Sequence, residues 1–176
     1  MIKRFIDIII SSLVLLFFWP VFLLISVFIL IFIGYPIIFT QFRPGLNCKV
    51  FKLYKFRTMI EKYDNKGNML PDNLRYNSFG SFLRRLSLDE LPSFWNILKG
   101  DMSLVGPRPL LIKYLDLYTS NQIRRHDVKP GVSGLAQIKG RNLLSWEERF
   151  DLDIWYVDNM SLLLDFKIIF ITIWKV

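Results

Sequence analysis

Two adjacent carboxylates stand in Ser87-Leu88-Asp89-Glu90-Leu91-Pro92, just behind the paired cations Arg84 and Arg85. Lys99-Gly100-Asp101-Met102-Ser103 and Gly106-Pro107-Arg108-Pro109 follow within twenty residues or so. An ionised aspartate near phosphate-binding cations is equipped to attack phosphorus or to hold a divalent cation. Ser87-x-x-Glu90 also matches a capping box, in which Glu90 would close a helix start and Asp89 would complement the macrodipole. Pro92 weakens that alternative, since a helix capped by Ser87 would carry proline in its second turn and leave the Leu88 carbonyl unpaired. The carboxylates are therefore expected at a break between two helices, where free backbone N–H groups favour anions and keep Asp89 ionised. Arg108, between two prolines, presents its guanidinium from a stiffened backbone, suited to phosphate oxygens; a rigid surface turn with a solvated arginine is the other reading.

Stepping outward along the chain, the elements that must position these groups begin with an apolar N-terminus. Ile8 to Ile33 carries no charge and is interrupted only by Ser11, Ser12 and Ser26. As one straight helix it would be about 39 Å long, against a hydrocarbon core of roughly 30 Å. Such a run is long for a signal peptide, and no small-residue cleavage site follows it. Pro20, near its middle, predicts a kink. Lys3 and Arg4 precede the run, while Arg43, Lys49, Lys52, Lys55 and Arg57 follow it. Positive residues favour the cytoplasmic side. A helix that enters, bends at Pro20 and leaves by the same face satisfies both flanks, and a kinked spanning helix satisfies one. Asp7 is expected to pair with a cation at headgroup level.

Beyond this foot, Tyr35 to Gln41 reads as extended and Val50 to Phe56 as a strand able to pair with it in a hairpin. Glu61 to Asn77 reads as a polar surface loop, Ser78 to Leu98 as helix interrupted by Pro92, and Leu110 to Asp127 as a second helical stretch. Val132 to Arg141 is expected as a glycine-punctuated loop whose backbone could approach a ligand. Trp146 to Asp158 and Leu162 to Val176 are further helices. The last is short for a span, and its Lys and Trp residues suit an interfacial helix; a buried core helix is the alternative. His126 lacks partners at ligand spacing and reads as structural or surface.

The chain has 176 residues, 52% hydrophobic, and a formal net charge of +8. Its mean hydropathy is +0.32 and its pI about 9.7. The length suits one domain. The basic balance suits anionic lipid, phosphorylated small molecules or nucleic acid, and the apolar N-terminus favours the first two. Cys48 is the single cysteine, so no internal disulfide is possible.

These motifs together resemble the monotopic phosphoglycosyl transferases, or bacterial sugar transferases. The resemblance is carried in order by Lys3-Arg4-x-x-Asp7, Phe39-Thr40-Gln41-x-Arg43-Pro44-Gly45 and Tyr54 to Met59. It continues through Ser87 to Pro92, Asn96 to Ser103, Gly106 to Pro109, and Arg125-His126-x-Val128-Lys129-Pro130-Gly131 with Gly134 to Arg141. It implies transfer of a sugar 1-phosphate from a UDP-sugar to undecaprenyl phosphate, with release of UMP and a requirement for Mg²⁺. Asp89 would be the nucleophile that carries a covalent phosphosugar and would lie at the metal, with Glu90 assisting by positioning or proton handling. Arg84, Arg108, Lys55 and Arg141 are the candidate phosphate contacts. The implied fold is mainly α with a small β-hairpin (α+β). A re-entrant membrane helix over 1–34, bent near Pro20, precedes a cytoplasmic membrane-associated domain over 35–176, with interfacial amphipathic helices around a compact catalytic core. The expected place is the bacterial inner membrane, with anionic lipid and no nucleic acid as partners. The resemblance is to the minimal catalytic form, and the Asn73 to Phe82 region is similar to that of members using UDP-diacetylbacillosamine. Family members often have serine before the bend proline, where this chain has Trp19. A non-catalytic basic adaptor on anionic lipid is the rival reading; it leaves Asp89, Glu90 and Asp101 without a role.

Overall fold

The structure is a computed structural model; it describes residues 2–140 and 143–175, without the side chain of Asn73. The apolar N-terminus forms two helices, α1 (Ile2–Phe17) and α2 (Trp19–Phe32), bent by 61° at Phe18. Pro20 lies in the first turn of α2, where its missing N–H leaves the Leu16 carbonyl without its usual donor. Phe18 N still donates to Val14 O at 2.9 Å, and Phe22 N to Phe18 O at 2.9 Å, so the bend costs little more than the proline itself removes. The Ser11 and Ser26 hydroxyls donate back to the carbonyls of Asp7 and Phe22, hiding their polarity within the apolar run. Among the described residues no single helix is long and apolar enough to cross a membrane, but this bent pair is, by length and composition.

A chain reversal follows α2. Asn77 Nδ2 donates to Phe32 O at 2.7 Å, and Arg57 donates to the Tyr35 carbonyl. Strands β1 (Ile38–Pro44) and β2 (Val50–Phe56) then pair antiparallel, from Ile38 opposite Phe56 to Pro44 opposite Val50. The hairpin expected from the sequence is present, with its first strand displaced a few residues towards Pro44. Alternation along β2 aims Phe51 and Leu53 into one apolar core, with Ile97, Met102, Val105, Tyr156 and Ile168. Phe56 faces a second core, with Ile25, Ile29 and Leu83. Lys55 therefore sits where the two cores meet.

Helix α3 (Ser78–Arg85) is capped by Asn77, whose Oδ1 accepts from Gly80 N at 2.7 Å. A 3-10 turn over Leu88–Glu90 separates it from α4 (Ser93–Lys99), which begins directly after Pro92. The interrupted helix expected from Pro92 is thus observed. Strand β3 (Ser103–Val105) runs parallel to β4 (Gly131–Ser133), and α5 (Leu135–Lys139), α6 (Trp146–Asp158) and α7 (Leu162–Lys175) complete the fold. The result is α+β: helices with a small antiparallel hairpin and one short parallel pair.

Three expectations are corrected. Leu110 to Asp127 is not a continuous helix but two 3-10 segments, Ile112–Leu117 and Gln122–His126. Between them Thr119 and Gln122 exchange side-chain-to-backbone bonds, Gln122 Oε1 accepting from Thr119 N at 3.0 Å, which competes with helical pairing. Val132 to Arg141 is not all loop: it holds part of β4 and all of α5. Its glycines serve close backbone packing, since a Cβ on Gly131 would lie 2.1 Å from Gly106 N and one on Gly134 2.5 Å from Gly106 O. Asp7, expected to pair with a cation at the headgroups, is instead buried and accepts from Leu104 N at 2.9 Å and Ser103 Oγ at 3.1 Å. A carboxylate taken out of water is held best by oriented donors, and the buried strand β3 supplies two, from Ser103 and Leu104.

α1 is fastened to the core by its first turn. Lys3 Nζ donates to Asp165 Oδ2 at 2.5 Å, Val105 O at 3.0 Å and Tyr156 Oη at 3.2 Å. Arg4 donates to Ile97 O at 2.5 Å and Leu98 O at 2.7 Å, covering the carbonyl end of α4.

Candidate active site

The site forms where β2, the 3-10 turn before α4 and the loop after β3 converge. Ser87, at φ 55°, turns the chain left-handed into Leu88–Glu90 and makes no side-chain cap bond. The capping-box alternative for Ser87 and Glu90 is therefore set aside. A capping box does occur at Ser145 and Glu148, at the start of α6.

Glu90 is clamped by two cations on one oxygen. Lys55 Nζ donates to Glu90 Oε1 at 2.5 Å from β2, and Arg108 Nη2 donates to the same atom at 3.0 Å from the Gly106–Pro109 loop. Burial works against the Glu90 charge, but Arg108 and Lys55 overcome it and hold the carboxyl down at about 2. Arg108 is raised in turn, chiefly by Glu90. A cavity of ≈ 90 Å³ opens beside the clamp, with Arg43, Lys55, Glu90, Ser93 and Arg108 among its lining.

Asp89 differs from its neighbour. It is 7% exposed, and among the described residues its carboxylate accepts no hydrogen bond and enters no ion pair. Burial pushes its carboxyl above the usual aspartate value, the Glu90 charge adds to this, and Lys55, Arg84 and Arg108 oppose it. The expectation that helix-end N–H groups keep Asp89 ionised is corrected: the stabilisation comes from nearby cations and works against burial. Two carboxylates in one site are thus pushed in opposite directions, which separates their chemical roles.

The structure brings both Lys55 and Arg108 into direct contact with Glu90 and sets Arg84 within electrostatic reach of Asp89. Arg84 spends its guanidinium on Thr58 Oγ1, at 3.1 Å, and on the Tyr76 hydroxyl, with the Tyr76 ring beneath it. Arg141 lies outside the described residues. Pro20 stands at the α1–α2 bend and is not among the residues lining the cavity. His126 is buried, its Nδ1 3.1 Å from the Gly45 carbonyl, in keeping with a structural role.

Sequence reasoning passed over Arg43 as a site residue, although it stands in one of the motifs noted above. It lines the cavity, donates to Gln41 Oε1 at 2.6 Å and to Pro109 O at 3.2 Å, and is lowered by burial and by Arg108. No spacing signal marked Asp153, whose role emerges only from its contacts.

The donor set is suited to a shared metal site. Among the described residues no cluster of three His, Cys, Asp or Glu side chains is present. Mg²⁺ is commonly held by one or two carboxylates with substrate phosphates and waters completing its shell. The Asp89 carboxylate, without a partner among the described residues, fits that pattern, whereas Glu90 is committed to Lys55 and Arg108.

Comparison with known proteins places the chain in a family. The family described as bacterial sugar transferase matches residues 1–176. A Bacillus subtilis (strain 168) protein, uncharacterized sugar transferase EpsL, is 60% identical over 144 residues, covering 82% of this chain and 71% of that protein. The exopolysaccharide production protein ExoY of Rhizobium meliloti is 40% identical over 98% of this chain and 84% of its own length. The UDP-glucose:undecaprenyl-phosphate glucose-1-phosphate transferase of Klebsiella pneumoniae is 42% identical over 98% of this chain, which spans 39% of that longer protein.

Proposed function

We propose, for a chain that belongs to the bacterial sugar transferase family and is therefore a phosphoglycosyl transferase, that it moves a sugar 1-phosphate from a UDP-sugar to undecaprenyl phosphate. The observation that carries the proposal is the buried Asp89 carboxylate, without a partner among the described residues, beside a Glu90 held by two cations. Asp89 attacks the sugar-linked phosphorus, a P–O bond forms to its carboxylate, and the bond to UMP breaks. The lipid phosphate then attacks the same phosphorus, giving the lipid diphosphate sugar and restoring Asp89. A raised carboxyl is a stronger nucleophile than an ordinary aspartate, and dividing the transfer lets a soluble donor and a lipid acceptor use one small site in turn.

Glu90 acts by position. Its carboxyl resists protonation and holds Lys55 and Arg108 side by side, aimed at the phosphate oxygens. Arg43 and Arg84 extend the positive field around them. Mg²⁺, held by Asp89 with the diphosphate oxygens, would supply charge neutralisation on the leaving UMP.

The bent α1–α2 pair is proposed as a re-entrant membrane foot that returns the chain to the cytoplasmic face. The positive residues on both its flanks support this. α7 would rest in the interface, with Leu163, Phe170, Ile173 and Trp174 exposed on the side away from buried Asp165 and Ile168. UDP-glucose is proposed as the first donor to try, because the Klebsiella pneumoniae relative is named for it.

The deciding assay is UMP release from UDP-glucose, UDP-galactose and N-acetylated UDP-sugars with undecaprenyl phosphate and Mg²⁺. Wild type is expected to release UMP and Asp89→Asn to lose at least about 10³-fold of that activity, as a missing nucleophile does. Donor alone should add the mass of one sugar phosphate to the wild type and nothing to the variant. UMP release undiminished in Asp89→Asn would overturn the assignment.

A further inference from the structure

The loop that presents Arg108 is held by three consecutive carbonyls, each taken by a donor from a different part of the chain. Gly131 N on β4 donates to Pro107 O at 3.0 Å. Arg125 Nη2 donates to Arg108 O at 2.9 Å. Arg43 Nη1 donates to Pro109 O at 3.2 Å. With proline on both sides of Arg108 and each of these three carbonyls held, the backbone that carries the Arg108 guanidinium has little freedom left.

Arg125 is the unusual member. It is 3% exposed and pairs with Asp153, itself 4% exposed, through Nη2 at 2.6 Å and Nε at 3.2 Å on one carboxylate oxygen. Its Nη1 donates to Tyr118 Oη at 3.0 Å, and the Tyr118 and Phe150 rings lie around the guanidinium. A buried ion pair of this kind is weakly justified by stability, because well-packed apolar residues of similar volume often serve a core as well or better. An apolar pair cannot, however, reach a carboxylate, a phenol and a loop carbonyl in three fixed directions. That fork geometry belongs to arginine and not to lysine.

We propose that Arg125 and Asp153 are positioning residues for the transfer reaction: they hold the Arg108 carbonyl so that the Arg108 guanidinium meets Glu90 and the phosphate at a fixed angle. Neither touches the reacting atoms. Asp153 fixes the Arg125 fork, the fork fixes the loop, and the loop fixes Arg108. The inference rests on the reaction proposed above, in which Arg108 contacts phosphate.

A double-substitution cycle on the full chain in lipid nanodiscs tests it. The four proteins are wild type, Arg125→Met/Asp153→Leu, Arg108→Ala, and the three changes combined. The apolar exchange is expected to leave Tm within a few degrees and to lower kcat/KM for UMP release by about 10- to 100-fold, the scale of an ångström misplacement. Once Arg108 is alanine, the same exchange is expected to cost less than about twofold. A loss of equal size in both backgrounds would mark the pair as structural only and overturn the inference. If the apolar exchange fails to fold, Asp153→Asn replaces it in the same cycle, with the same two outcomes. If wild type releases no UMP from any donor, the proposed reaction fails, and the side-chain Nε–H NMR signal of Arg108, identified by its loss in Arg108→Ala, decides the placement. That signal should move when the pair is exchanged; an unmoved signal overturns the inference.

Discussion

Asp89 and Glu90 are neighbours in sequence, yet their surroundings give them opposite tasks. Glu90 is neutralised on one oxygen by Lys55 and Arg108, whereas Asp89 is buried without a partner among the described residues. The contrast follows from the 3-10 turn, in which successive side chains point about 120° apart. His126 supports a second argument at this scale. Burial, then Arg125, lowers its imidazole below the ordinary value near 6.5, while the Gly45 carbonyl and Asp127 partly oppose this. The folded state then binds fewer protons than the unfolded state, so stability should fall as pH drops below about 6.5 towards the folded value. Tm measured from pH 7.5 to 5.5 should decline, and His126→Gln should flatten the decline; an unchanged slope in the variant would exclude His126 as its source.

At the scale of elements, the α1–α2 bend is the feature with most consequence for membrane placement. Proline withdraws one hydrogen bond at Pro20, and the chain turns by 61° two residues earlier, at Phe18. Trp19 offers no hydroxyl to satisfy the freed carbonyl, and the described serines donate elsewhere in the helices. Pro20→Ala restores a donor to the Leu16 carbonyl and should favour a straighter helix. Labelling of a cysteine placed at exposed Ile2, in a Cys48→Ser background, should be cytoplasmic with Pro20 in place and shift towards the opposite face in Pro20→Ala. Opposite-face labelling already with Pro20 in place would exclude the re-entrant foot.

For the whole molecule, the N-terminal foot and the catalytic core are one mechanical body. Lys3 reaches Asp165 on α7, Tyr156 on α6 and the carbonyl of Val105, the last residue of β3 before the Arg108 loop. Tyr156 Oη also donates to Asp165 Oδ1 at 2.6 Å, and burial with the Asp165 charge pushes its hydroxyl well above the ordinary tyrosine value. Asp165→Ala would leave Lys3 and Tyr156 facing no carboxylate, at a cost of about 3 kcal/mol. Thermal unfolding in detergent should report a Tm lower by about 6–12 °C, and a Tm equal to wild type would show that the network carries no stability.

What the sequence determined by itself was local or chemical. Proline and charge placed the kink near Pro20, the break before α4 and the cationic flanks; alternation placed β2; the ordered motifs placed Asp89, Glu90, Lys55 and Arg108 in one family site. These follow from backbone geometry and residue chemistry, which act over a few positions. Only the tertiary structure decided what each charge faces. It turned Asp7 from a headgroup partner into a buried acceptor for β3, and Asp153, an unremarked residue within a helix, into the partner of Arg125. It also divided Leu110 to Asp127 into two short 3-10 segments. Those outcomes depend on contacts between residues far apart in the chain, where burial sets the strength of every charge and the surrounding donors decide its sign of effect.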